Sequence, residues 1–289
     1  MILQFIINGL ITGILYSLLA IGFALVYNTT RIFHIAAAAL YVVGAYAFYF
    51  FSNLVGLPVG MSLVLSLLIT MAISLGVELI VYRPLKNKKA SLNVSLISSI
   101  GVMTILINLV AMFFGNETKV IDNSIQKTYT IDNIIITTPQ MWQLIIGVFS
   151  ITVFILFIHK SRWGVQFRAL SSDDVLFETL GYRTNWTRSI VFLLSGLFIA
   201  LASCLSAYDV GLDPNMGMNI LINAMVAMII GGVGRFDVCV LGGLALGVLQ
   251  SLVVYQFASN WQNAITFFVL LIFLFLRPQG IAGYKQRIV

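Results

Sequence analysis

Side chains that could do chemistry are sparse in this chain, and their spacing argues against catalysis. Glu78 stands within an apolar stretch, about one turn before Arg83. It reads as an ion pair or snorkelling contact at a membrane interface, with a gating role as the alternative. His34 ends another apolar stretch without an acidic neighbour in sequence. A proton relay is chemically conceivable there, but a lone imidazole of this kind reads as hydrogen-bonded at an interface. Asn219 and Asn223, four residues apart, put two amides on one helix face, and Asn108 and Gln250 lie inside other apolar stretches. A buried amide needs a partner or water, so these either line a pathway or bond between helices. Cys204 and Cys239 read as inert buried thiols. Gly231-Gly232-Val233-Gly234 is not a phosphate loop, because no Gly-Lys-Ser/Thr follows it. No nucleophile elbow, metal spacing or carboxylate pair is present in the sequence. The expectation is a non-enzyme with no cofactor and no metal.

The elements that must position these groups are membrane spans. Hydrophobic residues make up 60% of the 289 residues, charged residues only 9%, and mean hydropathy is +1.02. Stretches of about 20 apolar residues fall near 5–27, 35–52, 61–82, 94–114, 142–158, 188–208, 218–233, 239–258 and 262–276. The predicted fold is all-α and polytopic, with eight or nine transmembrane helices, some of them broken. Residues 1–289 read as a single transmembrane domain with an outer loop at 115–141 and an inner loop at 159–188. The first apolar stretch lacks a basic flank and a small-residue cleavage site, so it is expected to be a retained span.

Charge sets the expected topology. With nine crossings and the N-terminus outside, fourteen of the sixteen Lys and Arg residues fall inside, Lys285 and Arg287 among them. Lys119 and Lys127 fall outside with Glu117, Asp122, Asp132, Asp209 and Asp213. The net charge of +6 is therefore a topology signal and no argument for nucleic acid. The expected location is a bacterial cytoplasmic membrane, with the C-terminus cytoplasmic.

The two long linkers differ in kind. The outer one, with Ile134-Ile135-Ile136-Thr137-Thr138, reads either as a hairpin or cap or as a plain solvated connection. The inner one is amphipathic: Ser171 or Ser172 as N-cap, Asp173 and Asp174, then apolar Val175, Leu176, Phe177 and Leu180, with Gly181 as the stop. A short helix under the membrane is expected over 168–181.

These residues carry a resemblance. Ser161-Arg162-Trp163-Gly164, Arg168-Ala169-Leu170, Asp174 and Leu180-Gly181-Tyr182-Arg183-Thr184 resemble the cytoplasmic loop of branched-chain amino acid permeases of ATP-binding-cassette importers. Asn8-Gly9-Leu10, Tyr41-Val42-Val43-Gly44-Ala45-Tyr46, Tyr82-Arg83-Pro84-Leu85, Gly231-Gly232-Val233-Gly234 and Arg277-Pro278-Gln279-Gly280-Ile281 extend it along the whole chain. The resemblance implies a permease moving a small solute inward by alternating access. It also implies a paralogous permease as partner, more as a heterodimer than a homodimer, with two ATPase subunits, an extracytoplasmic solute-binding protein and membrane lipid. It implies coupling to the ATPase through Arg168, Asp173, Asp174, Leu176, Phe177, Glu178, Leu180 and Gly181, with Leu176, Phe177 and Leu180 filling a groove. Pathway-lining candidates are His34, Ala37, Tyr41, Asn108, Asn219 and Asn223. The chain departs from the family at one place: an Asn-Phe-Ala-His-Gly-Glu block reads His34-Ile35-Ala36-Ala37-Ala38-Ala39 here. Losing polar groups there favours a less polar cargo, or a subunit whose partner carries most of the contacts. The implied cargo is a branched-chain amino acid, with urea, short amides or another small solute as alternatives. A secondary transporter or channel and a purely structural or assembly subunit are the competing classes.

Overall fold

The computed structural model describes residues 2–121, 127–131, 134–277 and 280–281. Asp122, Asp132, Pro278, Gln279, Lys285 and Arg287 lie outside the described residues. The helices are α1 (Ile2–Thr30), α2 (Ala37–Tyr49), α3 (Val59–Val77), α4 (Arg83–Asn87), α5 (Leu92–Phe114), α6 (Thr138–Lys160), α7 (Arg162–Ser172), α8 (Asp174–Thr179), α9 (Thr184–Val210), α10 (Met216–Gly231), α11 (Cys239–Gln256) and α12 (Trp261–Leu276). A π-helical turn extends α2 over Phe50–Leu54, and another joins α3 to α4 over Glu78–Tyr82. Seven of the resulting apolar helices are long enough to cross a bilayer, and α10 and α12 are shorter apolar helices. In hydrocarbon the backbone must satisfy its own polar groups, which is why nearly all of this chain is helix.

The linker at 115–141 carries a two-stranded antiparallel hairpin, β1 (Thr128–Ile131) with β2 (Ile134–Thr137), in the register Thr128 opposite Thr137. Thr137 then caps α6 by accepting from the Gln140 amide, while the Gln140 side chain bonds back to the Thr137 amide. This capping box fixes where the hairpin stops and the span begins.

The core is built around α1, which packs chiefly on α11 and α9. Close approach to α11 needs glycine on both sides. A Cβ on Gly243 would fall 2.5 Å from the Ser17 amide nitrogen, and one on Gly247 would fall 2.5 Å from Gly13 Cα. Small faces of this kind let helices meet at backbone distance where no hydrophobic drive between helices exists. In contrast α3, α5, α6 and α12 turn large apolar side chains outward, Phe113, Phe149 and Phe275 among them. These are faces for lipid or for a partner helix.

The linkers sort into two ends of the bundle. At one end Gln4 bonds to the Ile135 backbone, Asn53 to the Ile121 carbonyl, and Lys119 pairs with Leu212. At the other, Arg31 bonds to the Ser171 carbonyl, Lys86 to Glu178, Asn28 to the Gly234 amide, and Ile281 to the Ile230 carbonyl. The turns rich in Lys and Arg therefore share one end, and Gln4 and Ile281 stand at opposite ends.

Candidate coupling surface and solute pathway

The linker at 159–188 is not one helix. A break at Asp173, with φ −155° and ψ 112°, separates α7 from α8. Asp173 itself is the cap of α8, accepting from the Leu176 amide at 2.9 Å, so the expected cap at Ser171 or Ser172 is corrected. Ser171 instead lies buried at the end of α7, its carbonyl engaged by Arg31. A carboxylate outcompetes a hydroxyl here because it can also complement the helix dipole. Gly181, at φ +85°, turns the chain out of α8 as expected.

The apolar face of α8 is split. Val175, Leu176 and Leu180 are 68%, 56% and 65% exposed, whereas Phe177 is 2% exposed. Phe177 stacks on Tyr182 with ring centroids 5.0 Å apart and planes 20° apart. It fastens α8 to the strap leading into α9, which leaves Leu176 and Leu180, with Val175, as the outward ridge. Asp173, Asp174 and Glu178 are exposed. The Thr184 hydroxyl and the Lys86 ammonium, 3.3 Å from Oε1, hold the Glu178 carboxyl below the usual carboxylate range. Arg168 stands on α7, exposed, 3.4 Å from His159 Nδ1.

Behind the strap, Arg188 of α9 donates from Nε and Nη2 to the two oxygens of Glu78, at 3.1 and 3.4 Å, with both side chains buried. The expected bond from Glu78 to Arg83 is thus replaced by a bond to Arg188. Arg83 follows Glu78 by only five residues on the same rod, while Arg188 comes from the helix packed against it. Farther along, Ser74 donates to the Phe192 carbonyl and Ser195 to the Gly22 carbonyl. Together these bonds join α9 to α3 and to α1.

The pathway candidates fall in three places. Ala37 and Tyr41 border a residual cleft of about 10 Å³ where the first turns of α2 and α10 meet. Leu19, Phe23, Leu221 and Ala224 also line it. Gly217 lies so close to Ala38 that a Cβ there would strike the Ala38 carbonyl. A cleft of this size admits one water at most. The alanines of the Ala36–Ala39 run are all buried. His34 is buried just before α2, its Nδ1 2.9 Å from the Tyr82 hydroxyl. Tyr82 donates to Ser99 at 2.8 Å, and Ser99 accepts from the Ala36 amide at 2.9 Å. Asn108 and Asn219 are exposed on α5 and α10, with Asn108 bonded back to the Thr104 carbonyl.

Asn223 belongs to a buried polar hub. Gln250 accepts from Tyr16 at 2.9 Å and from Gln262 at 3.0 Å, and donates to Asn223 at 3.1 Å and to Thr266. Asn223 closes the ring by donating to Tyr16 at 3.2 Å. Four helices, α1, α10, α11 and α12, are stitched through one side chain. Every polar atom of Gln250 and Asn223 is thereby engaged, which suits interhelical bonding. Tyr16, Thr266, Gln262 and Arg188 were not singled out from the sequence for these sites. The signal for Arg188 was present: a charge opening an apolar span requires a buried counter-charge.

Comparison with known proteins shows the family. Residues 5–274 match the family described as branched-chain amino acid transport system, permease component. The chain is 28% identical over 298 aligned residues to the high-affinity branched-chain amino acid transport permease BraD of Pseudomonas aeruginosa, covering 98% of this chain and 96% of that protein. It is 26% identical to LivH of Escherichia coli at the same coverage. A probable permease of Methanocaldococcus jannaschii is 25% identical over 95% of this chain and 92% of its own length. In fold, PsaBC from Streptococcus pneumoniae, solved in complex with Fab, superposes with a TM-score of 0.52 at 17% identity, covering 94% of this chain and 91% of that one. The chain belongs to the permease family of branched-chain amino acid transport systems.

Proposed function

We propose that this permease is the membrane-spanning part of an ATP-driven importer for a small amphipathic solute, a branched-chain amino acid before any other. It works with a paralogous permease, two ATPase subunits and an extracytoplasmic binding protein. The end rich in Lys and Arg faces the cytoplasm, in keeping with the positive-inside rule. The N-terminus is then outside, in a bacterial cytoplasmic membrane.

The observation that carries the coupling role is the split face of α8. Leu176 and Leu180 stand outward on a short helix whose inner side is fixed by Phe177 on Tyr182. Such a ridge suits a groove on an ATPase, and Asp173, Asp174 and Glu178 beside it suit basic or polar groups there. Closure of the ATPase pair on ATP would push α8, the strap would carry the push to α9, and the Glu78–Arg188 pair would make α3 follow. Rocking of α9 against α1 and α2 then opens the cleft at the α2 and α10 first turns, toward one side or the other.

The lining supports an aliphatic cargo over urea. Leucine, isoleucine, phenylalanine and alanine side chains dominate the cleft, and the Tyr41 hydroxyl is bonded to Ser206. The amino-terminal ends of two helices meet there, which favours a carboxylate.

The test is uptake into proteoliposomes holding the co-purified subunits. Leucine uptake that needs both ATP and the binding protein supports the reading, and urea uptake under the same conditions redirects the cargo. Uptake driven by an ion gradient without ATP overturns it in favour of a secondary transporter. Such a transporter would be expected to place paired acids in its spans, whereas the Glu78 charge is matched by Arg188.

A further inference from the structure

At the basic end, a groove of about 700 Å³ opens between the foot of α3 and the first turns of α9. Its walls are apolar, with Leu75 and Leu79 on one side and Ile190 and Leu193 on the other. Its mouth is cationic, formed by Arg83 and Arg183. Among the described residues neither guanidinium has a carboxylate within 4 Å, and Glu78, whose charge reaches Arg83 from farther off, is itself closed by Arg188. The one acid at the mouth, Glu178, is bonded to Lys86 at 3.3 Å. Trp186, 63% exposed, stands at the same level, where an amphipathic ring marks a membrane interface.

Depth identifies the occupant. From Arg83 back to Leu75 is about 12 Å of helix, and from Arg183 on to Leu193 about 15 Å. That is the thickness of one leaflet of a hydrocarbon core of about 30 Å. An apolar channel of leaflet depth under a two-arginine mouth matches an acyl chain under an anionic headgroup, whereas an aqueous loop of a partner protein would leave polar groups in hydrocarbon. We infer that this groove holds one anionic phospholipid, its phosphate between Arg83 and Arg183 and an acyl chain against Leu75, Leu79, Ile190 and Leu193. The lipid would brace the foot of α9 beside the strap, and the site stands whether or not α8 couples to an ATPase.

The experiment uses the full chain, purified with its co-purifying subunits into nanodiscs of phosphatidylcholine carrying a minority of phosphatidylglycerol. Retained lipid is read by native mass spectrometry. The wild type should retain phosphatidylglycerol over phosphatidylcholine, and Arg83→Gln/Arg183→Gln should lower that preference by about thirtyfold, each basic residue being worth about fivefold at an anionic surface. Arg83→Lys/Arg183→Lys should keep most of it. Equal retention in wild type and the Gln variant overturns the proposal. So does loss of an ATPase or second permease from the Gln variant with lipid retention unchanged, which would make the groove a protein interface. A second readout leaves both arginines in place: brominated phosphatidylglycerol should quench Trp186, taken as the difference between wild type and Trp186→Phe, more than brominated phosphatidylcholine does. Equal quenching by the two lipids overturns the proposal.

Discussion

Arg188 reaches across from α9 to close both oxygens of Glu78, 110 residues earlier in the chain, at 3.1 and 3.4 Å. The two side chains are almost fully buried, so each is the solvent of the other. Removing one partner alone leaves an uncompensated charge and should cost about 3–5 kcal/mol. Glu78→Gln and Arg188→Leu should each lower the melting temperature in detergent. The double change Glu78→Leu/Arg188→Leu should recover most of that stability, because replacing a whole buried pair with apolar groups is close to neutral. If the pair also transmits motion, the double variant will be stable and yet hydrolyse ATP without uptake. A stable double variant with normal uptake would limit the pair to architecture.

Leu176 and Phe177 are neighbours with opposite duties. Leu176→Asp should leave the melting temperature unchanged while reducing ATPase co-purification and uptake by tenfold or more, since it puts a charge on the exposed ridge. Phe177→Ala empties a buried site and should cost about 3 kcal/mol if the strap folds cooperatively with the bundle. Limited proteolysis between α7 and α9 checks the second outcome: faster cutting is expected for Phe177→Ala and not for Leu176→Asp.

Gln250 holds four helices together, and its loss should be felt at each. Gln250→Leu takes one partner from each of Tyr16, Asn223, Thr266 and Gln262; Asn223 keeps its bonds to Tyr16 and Thr266, and the Gln262 side chain and the Tyr16 proton lose theirs. Each buried polar group left without a partner costs about 1–3 kcal/mol, although bonds between helices in membranes average about 0.6 kcal/mol when both partners can adjust. Thermal unfolding in detergent should therefore show a drop exceeding that of Asn108→Leu, whose exposed amide bonds to its own helix. Equal effects would argue against the hub.

Gly247 meets Gly13 at backbone distance. Gly247→Val should separate α1 from α11 and prevent the chain from accumulating in membranes, whereas Gly76→Val, where a Cβ meets nothing within 4 Å, should accumulate normally. Membrane-fraction immunoblots give the answer.

The membrane helices were legible in the sequence because hydrocarbon tolerates so few alternatives: a run such as Leu92–Phe114 can only be a span. The distribution of Lys and Arg was legible for the same reason, and the fold gathers their turns at one end. The helix break at Asp173 was not legible, because Ser171, Ser172 and Asp173 are all good caps and the choice depends on Arg31 reaching the Ser171 carbonyl. Nor was the inward turn of Phe177, since a short amphipathic segment does not say which apolar residue meets its own protein and which a partner. The partner of Glu78 was hidden by distance: Arg83 was nearer in sequence, Arg188 nearer in space.

The most direct test of the central claim is a pull-down of the tagged chain from native membranes, followed by uptake measurement on what is recovered. An ATPase pair and a second permease should come down with it, and the reconstituted assembly should take up leucine only with ATP and the binding protein present. Recovery of this chain alone, as a stable oligomer that moves solute without ATP, would contradict the account and reduce α8 to an ordinary connection between spans.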